Sequence, residues 1–214
     1  MGYKLENAFK TINNIYDSVT NLDATIHTKK LHDTFFSEFA TRGVLSSIKM
    51  VEKKLERLLY CEIRNDGLWT VIQRRDNYTF QHNFNTSWED YKHGFGNLHR
   101  DFWIGNNFLH KISNQQNLIL RIELEDFENN SVWAEYDNFA VASENDNFQL
   151  SVSDYTGNAS DSFSSHSGSY FSTYDQTNDQ APECCPCSLS YGGGWWFNRC
   201  FESNLNGVYF KYPQ

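Results

Sequence analysis

The sequence predicts an α+β fold: a twisted, mainly antiparallel sheet with short helices and long loops, preceded by an N-terminal α-helical coiled-coil segment. Three observations support this prediction. Apolar residues recur at spacings of three and four from Leu5, and short strand-like segments separated by glycine turns follow Cys61. Aromatic residues make up 16% of the chain, which suits a core of strands and irregular loops. We therefore predict a helical stalk over residues 1–59 and a globular domain over residues 60–214.

The N-terminal segment carries two apolar seams. Alternating spacings of three and four place apolar residues along one side of a helix, and such a seam is buried only against another helix. We predict a coiled-coil stalk that joins copies of the chain; the alternative is an amphipathic helix packed on its own domain. The first seam consists of Leu5, Ala8, Ile12, Ile15, Val19, Leu22 and Ile26, and the second, in a shifted phase, of Val44, Ile48, Val51, Leu55 and Leu58.

The region after Cys61 alternates strand-like and turn-like segments. Runs rich in β-branched and aromatic residues indicate strands, and glycine punctuates them. Strands mixed with short helices indicate an α+β domain around an antiparallel sheet. Strands are predicted over residues 67–75, 118–124, 132–141 and 148–152, and short helices over residues 88–93 and 108–113.

Net charge and sequence motifs exclude some binding partners and indicate the compartment in which the protein acts. A net charge of −9 argues against non-specific binding to nucleic acid or anionic membranes. No apolar run reaches the length of a membrane span, and residues 1–10 are too charged for a signal peptide. N-glycosylation sequons nevertheless begin at Asn77, Asn85, Asn129 and Asn158. We therefore expect an extracellular, secreted protein whose leader is missing from this sequence.

Residues 187–207 (CSLSYGGGWWFNRCFESNLNG) are the part of the chain around which the rest is organised. Residues 192–194 are glycines, which permit positive φ, and the adjacent indoles of Trp195 and Trp196 must be covered. A disulfide between Cys187 and Cys200 would close a short loop around them. The five cysteines of the chain fit an oxidising compartment or a metal site. Zinc is disfavoured because no paired CxxC spacing occurs.

Residues 160–182 are poor in apolar side chains and rich in Ser, Asp and Asn. Composition alone favours a solvated acidic loop or disorder. The alternative is a loop held by an ion and a disulfide, because carboxylate oxygens are ligands that calcium prefers. The carboxylates available for such a loop are Asp161, Asp175, Asp179 and Glu183.

A series of motifs, in order and at matching spacing from about Cys61 to Tyr209, resembles the fibrinogen C-terminal domain family. Within the family, VWAEY with GNASD is similar to scabrous proteins, and the cysteine-rich run before GGWWF is similar to angiopoietins. The motifs are WTVIQRR (69–75), WxxYxxGFGN (88–97), FWIGNxxLH (102–110), LRIEL (120–124), YxxF (136–139), GNASDS (157–162), FSTYDxxND (171–179), GGWWFNRC (193–200) and SNLNGVY (203–209).

The resemblance implies a binding domain and not an enzyme. Members of the family use one face, beside their second disulfide, to hold a peptide end, an acetylated sugar or a receptor. It implies that Cys187 and Cys200 form this disulfide, that the Arg199–Cys200 peptide bond is cis, and that Tyr191 lines the pocket. Phe201 stands where the family usually has histidine, and phenylalanine cannot hydrogen bond a polar ligand. The implied ligand-binding residues are Tyr191, Arg199, Cys200 and Phe201.

The calcium site of the family is only partly matched. The family uses two aspartates two residues apart, then two backbone carbonyls, before the cysteine that corresponds to Cys187. An apparent two-residue insertion leaves Asp179 as the single matching carboxylate, with Thr177 or Ala181 at the other position and Glu183 as a substitute. Calcium affinity follows the number of charged ligands. The resemblance therefore implies at most a weak Ca²⁺ site at Asp179, Thr177 and Glu183, and no other cofactor.

Both ends of the domain depart from the family pattern. The cysteine that would pair with Cys61 is absent, so we expect Cys61 to be free or to bridge to another chain. Cys184 and Cys185 are additional, and they could pair with Cys61 or with neighbouring cysteines. The strands expected after Tyr209 are missing, and we expect a truncated domain with an uncovered sheet edge.

Two functions follow from the resemblance. The first is a secreted, oligomeric signalling ligand or modulator of scabrous or angiopoietin type, which binds a receptor. The second is a lectin-like immune recognition protein that binds acetylated sugars, supported by Tyr191. An enzyme is disfavoured because the sequence has no nucleophile elbow and no HExxH motif.

Overall fold

The computed structural model describes residues 46–52, 55–64, 67–114 and 118–210. The chain divides after Val71 into two compact units, which are described separately below. The first predicted apolar seam, from Leu5 to Ile26, lies outside the described residues, so the coiled coil remains a prediction.

Three antiparallel strands form the described part of the first unit. They are β1 (Ser46–Glu52), β2 (Leu55–Arg64) and β3 (Gly67–Val71), and they pair in the order β1-β2-β3. Leu59 and Cys61 are both buried, as expected for residues two apart on one face of a strand.

The predicted second helical seam, from Val44 to Leu58, is wrong for its described residues, because these residues form β1 and β2. Residues 46–52 pair one by one with residues 55–61 in an antiparallel ladder. A short apolar run fits a helix or a strand about equally well, and periodicity alone does not separate the two. Pairing with the neighbouring strand determines the conformation of these residues. The spacing of apolar residues within one segment carries no information about that pairing.

The second unit begins with a small sheet and two helices. Its strands β4 (Gln73–Arg74), β5 (Phe95–Gly96) and β6 (Phe102–Trp103) are antiparallel, and β6 lies between the other two. Helix α1 spans Trp88–His93 and helix α2 spans Asn106–Ser113.

Helix α1 has the bounds that the sequence predicts, and its ends show why. The Ser87 hydroxyl accepts a hydrogen bond from the Asp90 backbone N–H, and the Asp90 carboxylate accepts one from the Ser87 backbone N–H. This reciprocal capping box satisfies two N–H groups that the helix itself leaves unpaired. Gly94, with φ of 86°, ends the helix.

A second antiparallel sheet, with longer strands, follows helix α2. Its strands β7 (Leu118–Glu125), β8 (Ser131–Val141) and β9 (Leu150–Gly157) pair in that order. Ala134 and Tyr136 are buried and alternate with the half-buried Trp133 and Glu135 and the exposed Asp137, so one face of β8 covers the core. The other described elements are single 3₁₀ turns at Glu144–Asp146 and Ser164–His166, and helix α3 at Cys187–Tyr191.

Aromatic side chains build the core of the second unit. Trp196, Tyr91 and Phe171 are each at most 2% exposed. The ring centroid of Phe171 lies 5.2 Å from that of Trp196 and 5.2 Å from that of Tyr91. Burying a side chain of this size contributes about 2–3 kcal/mol. These contacts therefore hold residues 171 and 196 against helix α1.

The loop over residues 160–182 is ordered by protein contacts, contrary to the prediction of a solvated acidic loop. Phe163 and Phe171 are at most 3% exposed. Ser172 and Trp195 exchange two backbone hydrogen bonds, of 2.9 and 3.1 Å. The two phenylalanines help to anchor this polar segment, because each carries a large apolar area to the core.

Candidate binding site

Helix α3 and the glycines after it begin the loop that carries the site. The Cys187 backbone N–H donates to the Asp179 carboxylate at 3.1 Å, and the Gly192 N–H donates to the Ser188 carbonyl at 3.1 Å. Gly193 has a φ of 76°, and a Cβ at this position would lie 2.2 Å from the Asn206 carbonyl oxygen. Both the backbone angle and the close approach therefore require glycine at position 193.

The paired indoles lie in the core and support the loop from behind. Trp195 and Trp196 are 3% and 2% exposed. The Trp196 indole N–H donates to the Phe148 carbonyl at 2.7 Å. The two tryptophans therefore do not contact a ligand directly, and their part is to fix the path of the backbone between residues 193 and 197.

The loop is closed by a disulfide between Cys187 and Cys200, with a Cα–Cα distance of 5.4 Å. The Arg199–Cys200 peptide bond is cis. Beside the disulfide, the Asn198 N–H donates to the Cys200 carbonyl at 2.8 Å, which makes a tight turn. The structure thus contains the disulfide and the cis bond that the resemblance implied.

Tyr191, which lies between the two disulfide cysteines in sequence, and Phe201, which follows Cys200, form an exposed aromatic pair. Their ring centroids are 4.8 Å apart at an interplanar angle of 89°. The Tyr191 side chain is 51% exposed and that of Phe201 is 38% exposed. Edge-to-face geometry of this kind contributes about 0.5–1.5 kcal/mol beyond area burial, which holds the two rings together in water. We call Tyr191 and Phe201 the aromatic pair.

The four predicted ligand-binding residues are thus partly brought together. Tyr191 and Phe201 touch, Cys200 is held in the disulfide, and Arg199 is exposed next to it. Phe197, which is 1% exposed, lies behind Phe201 with ring centroids 5.9 Å apart. The arrangement offers an apolar, aromatic surface with one neighbouring cation, which suits contact with a protein or with a flat apolar group.

A polar turn at residues 204–207 supports the glycine loop. The Asn206 amide donates to the Gly194 carbonyl at 2.9 Å, and the Asn204 amide donates to the Gly192 carbonyl at 3.2 Å. The Arg75 guanidinium donates to the Gly207 carbonyl at 3.0 Å and lies over the Phe84 ring at 4.0 Å. Burial lowers the pKa of Arg75, although nearby Asp101 opposes this effect.

His166 holds the segment after the aromatic pair, and the sequence analysis did not identify this role. Its Nδ1 lies 2.8 Å from the Trp196 carbonyl, while its Nε2 lies 3.2 Å from the Glu202 N–H and 3.3 Å from the Ser203 N–H. Because both N–H groups point at Nε2, the ring is neutral with its proton on Nδ1. The imidazole is 1% exposed. Its partners lie far away in sequence, so no local pattern could have identified it.

We expect the free energy of unfolding to fall in acid through His166. Burial lowers the pKa of His166 below its ordinary value of 6.5, so the unfolded chain binds the proton more tightly. The contribution is complete above about pH 6.5 and is lost as the pH falls through the folded-state pKa. Each tenfold difference in proton affinity corresponds to about 1.4 kcal/mol.

Urea unfolding at several pH values between 7.5 and 5 measures this loss. His166→Asn, which keeps a donor near the Trp196 carbonyl but does not titrate, should show a shallower dependence on pH than the wild type. If the free energy of unfolding depends on pH equally in the two proteins, His166 does not contribute to that dependence.

Of the predicted calcium ligands, Asp179 is engaged by the protein backbone in this structure. The two carboxylate oxygens of Asp179 accept hydrogen bonds from the backbone N–H groups of Ala181 and Cys187, at 3.0 and 3.1 Å. Among the described residues, no cluster of three or more His, Cys, Asp or Glu side chains could hold a metal ion. One engaged carboxylate, with Thr177 and Glu183 nearby in sequence, does not offer the several charged oxygens that calcium prefers. Calcium binding stays a prediction.

All four sequon asparagines are exposed, as attachment of a glycan requires. Asn85 lies beside the glycine loop, since its side-chain oxygen accepts a hydrogen bond from the Gly193 N–H at 3.4 Å. Glycosylation itself stays a prediction at each of the four positions, which are Asn77, Asn85, Asn129 and Asn158.

The fold and the disulfide-closed loop are those of a fibrinogen-like globular domain, with antiparallel sheets and few short helices. The family model described as fibrinogen beta and gamma chains, C-terminal globular domain, matches residues 32–213. The chain belongs to the fibrinogen C-terminal domain family. The match begins before residue 60, where the sequence analysis placed the start of the domain, and it includes β1 and β2.

Three similar proteins illustrate this membership. Fibrinogen-like protein 1 of Homo sapiens is 40% identical over 180 residues, which are 78% of this chain and 56% of the relative. Techylectin-5A of Tachypleus tridentatus is 43% identical over 153 residues, or 71% of this chain and 52% of the relative. The solved fibrinogen-like globe domain of human ANGPTL6 has a TM-score of 0.73 and 32% identity, and the match covers 82% of this chain and 78% of that domain. The chain thus spans about half the length of these two curated relatives.

No helix in the described part of the chain is long and apolar enough to cross a membrane.

Proposed function

We propose that this chain is a secreted binding protein, which acts outside the cell as an oligomeric signalling ligand or modulator. The observation that carries the proposal is the aromatic pair, Tyr191 and Phe201, exposed on a loop that a disulfide and two buried indoles hold in place. Interface hot spots are enriched in Trp, Tyr and Arg, and Tyr191 and Arg199 are of these types. The proposed activity is binding, without a chemical reaction.

The chemistry of the pair favours a protein partner. Phe201 offers neither a donor nor an acceptor, so its ring binds through apolar area and ring edges, and Tyr191 adds a single hydroxyl group. Arg199 beside them supplies a positive charge that fits a partner with a carboxylate or carbonyl group near its apolar contact. We therefore propose a receptor protein as the ligand class.

Binding to cultured cells tests this proposal. We expect fluorescently labelled protein to bind saturably to cells that carry the receptor, and we expect the double variant Tyr191→Ala/Phe201→Ala to bind about 30-fold more weakly, since one hot spot contributes about 2 kcal/mol or more. Phe80→Ala is the matched control, because Phe80 is 79% exposed but is not part of the pair. Equal loss in the control and the double variant would remove the aromatic pair as the binding site.

A lectin is the second candidate. It is supported by the exposed Tyr191 ring and by the 43% identity to Techylectin-5A, whose name describes a lectin. Retention on N-acetylglucosamine resin in calcium, with elution by EDTA, separates the two candidates. We expect the wild type to pass through the column. Retention that Tyr191→Ala abolishes would replace the signalling proposal with the lectin.

Oligomerisation is the second part of the proposal and rests on the first apolar seam. A charge buried in the seam should separate the helices. We expect Ile12→Asp/Ile15→Asp to have the mass of a single chain in multi-angle light scattering, whereas the wild type should have a multiple of that mass. Asn13→Asp/Asn14→Asp, which adds the same charge off the seam, is the control and should remain oligomeric. A monomeric wild type would contradict this part of the proposal and leave the binding surface unaffected.

A further inference from the structure

Two consecutive cysteines outside the disulfide lie close together at the surface. The Sγ atoms of Cys184 and Cys185 are 2.9 Å apart, and both side chains are exposed. The third cysteine without a disulfide among the described residues, Cys61, is buried. A disulfide bond is about 2.05 Å long, so the two sulfurs need to approach by less than about 1 Å to form one.

The backbone on either side holds this pair in place. The Cys185 N–H donates to the Pro182 carbonyl at 2.9 Å, which makes a turn that presents both thiols. The Asp179 carboxylate accepts from the Ala181 and Cys187 N–H groups and so fixes both ends of the segment. Cys187 is committed to Cys200. The nearest sulfur partner of each exposed cysteine is therefore the other.

We propose that Cys184 and Cys185 form a redox-active site that cycles between two thiols and a disulfide between adjacent residues, with a small disulfide of the glutathione class as oxidant. The thiolate of one cysteine attacks the small disulfide, which forms a mixed disulfide and releases one small thiol. The second cysteine then attacks the protein sulfur of the mixed disulfide and releases the second small thiol. Two electrons and two protons pass from the protein to the oxidant.

This disulfide should be reduced more easily than the one at Cys187. Neighbouring Cα atoms are about 3.8 Å apart, which is below the usual range of about 4.4–6.8 Å for disulfides. Strained and exposed disulfides are the labile ones. The Cys187–Cys200 bond has a Cα–Cα distance of 5.4 Å, within the usual range, and Cys187 is fully buried. The Cys184–Cys185 disulfide should therefore be reduced by a weaker reductant than the Cys187–Cys200 disulfide.

Counting free thiols by mass spectrometry tests the site in the full chain. The protein is incubated in mixtures of reduced and oxidised glutathione, quenched in acid and then labelled with N-ethylmaleimide in denaturant. We expect the intact monomer to carry three labels after mild reduction, one for each cysteine outside the disulfide, and one label after oxidation. Five labels, one for every cysteine, should require a stronger phosphine reductant.

Single variants separate the proposed bond from other oxidation products. Cys184→Ser and Cys185→Ser, both at exposed positions, should each trap one glutathionyl group under conditions in which the wild type traps none. The inference is overturned by three labels that persist under oxidation, by a covalent dimer on a non-reducing gel, or by a wild type that retains glutathione as the single variants do. Reduction of both disulfides under the same conditions would show that the Cys184–Cys185 bond is not the more easily reduced one. None of these readouts depends on the receptor.

Discussion

Replacing Gly193 with alanine should destabilise the second unit by about 2–5 kcal/mol. An L-residue at positive φ costs about 1–2 kcal/mol, and forcing an additional methyl into a packed site costs about 1–3 kcal/mol. Both terms apply, because Gly193 has a φ of 76° and its Cβ would lie 2.2 Å from the Asn206 carbonyl oxygen. Urea unfolding followed by tryptophan fluorescence measures the loss.

Gly168→Ala is the matched control for this prediction. Gly168 has a similar φ of 83°, but a Cβ there would meet no heavy atom within 4 Å. The control should therefore lose only the conformational term, about 1–2 kcal/mol. If the two variants unfold at the same urea concentration, the close contact with the turn at residues 204–207 has no energetic consequence.

Truncating Trp196 to alanine should cost about 3–5 kcal/mol. The indole is 2% exposed, packs against Phe171 and donates a hydrogen bond to the Phe148 carbonyl. Its loss removes buried apolar area, opens a cavity and leaves a buried carbonyl unpaired. Circular dichroism is the appropriate measurement, since the substitution removes a fluorophore.

Two further variants define the origin of this effect. Trp196→Phe keeps most of the apolar volume and removes the N–H donor, so it should lose about 1–3 kcal/mol. Phe80→Ala removes an aromatic ring that is 79% exposed, and it should stay within about 0.5 kcal/mol of the wild type. An unfolding midpoint for Trp196→Ala equal to that of Phe80→Ala would contradict the assignment of Trp196 to the core.

Local signals in the sequence located much of the second unit. The bounds of α1 follow from a capping serine and a terminal glycine, and both act within a few residues. The strand predicted at residues 132–141 appears as β8 because apolar and polar residues alternate along it. Each of these signals involves only residues within the element that it predicts or directly next to it.

Structural features that depend on contacts between residues far apart in the sequence could not be predicted from such local signals. Residues 55–59 of strand β2 were predicted as helix, because the pairing of β2 with β1 and β3, and not its own spacing, determines its conformation. His166 binds N–H groups 36 and 37 residues away. Tyr191 and Phe201 were identified by resemblance to a family, and their contact requires the loop to close between them.

In this loop, the residues that hold the backbone in place differ from those that form the exposed surface. Buried atoms determine the path of residues 187–200, whereas the side chains of Tyr191, Arg199 and Phe201 are exposed, and Phe201 also contacts the buried Phe197 ring. Surface substitutions away from packed features usually change stability by less than about 0.5 kcal/mol. A library randomised at these three positions should therefore fold as one population while it samples many partners, which makes the domain a suitable scaffold for selecting new binding specificities.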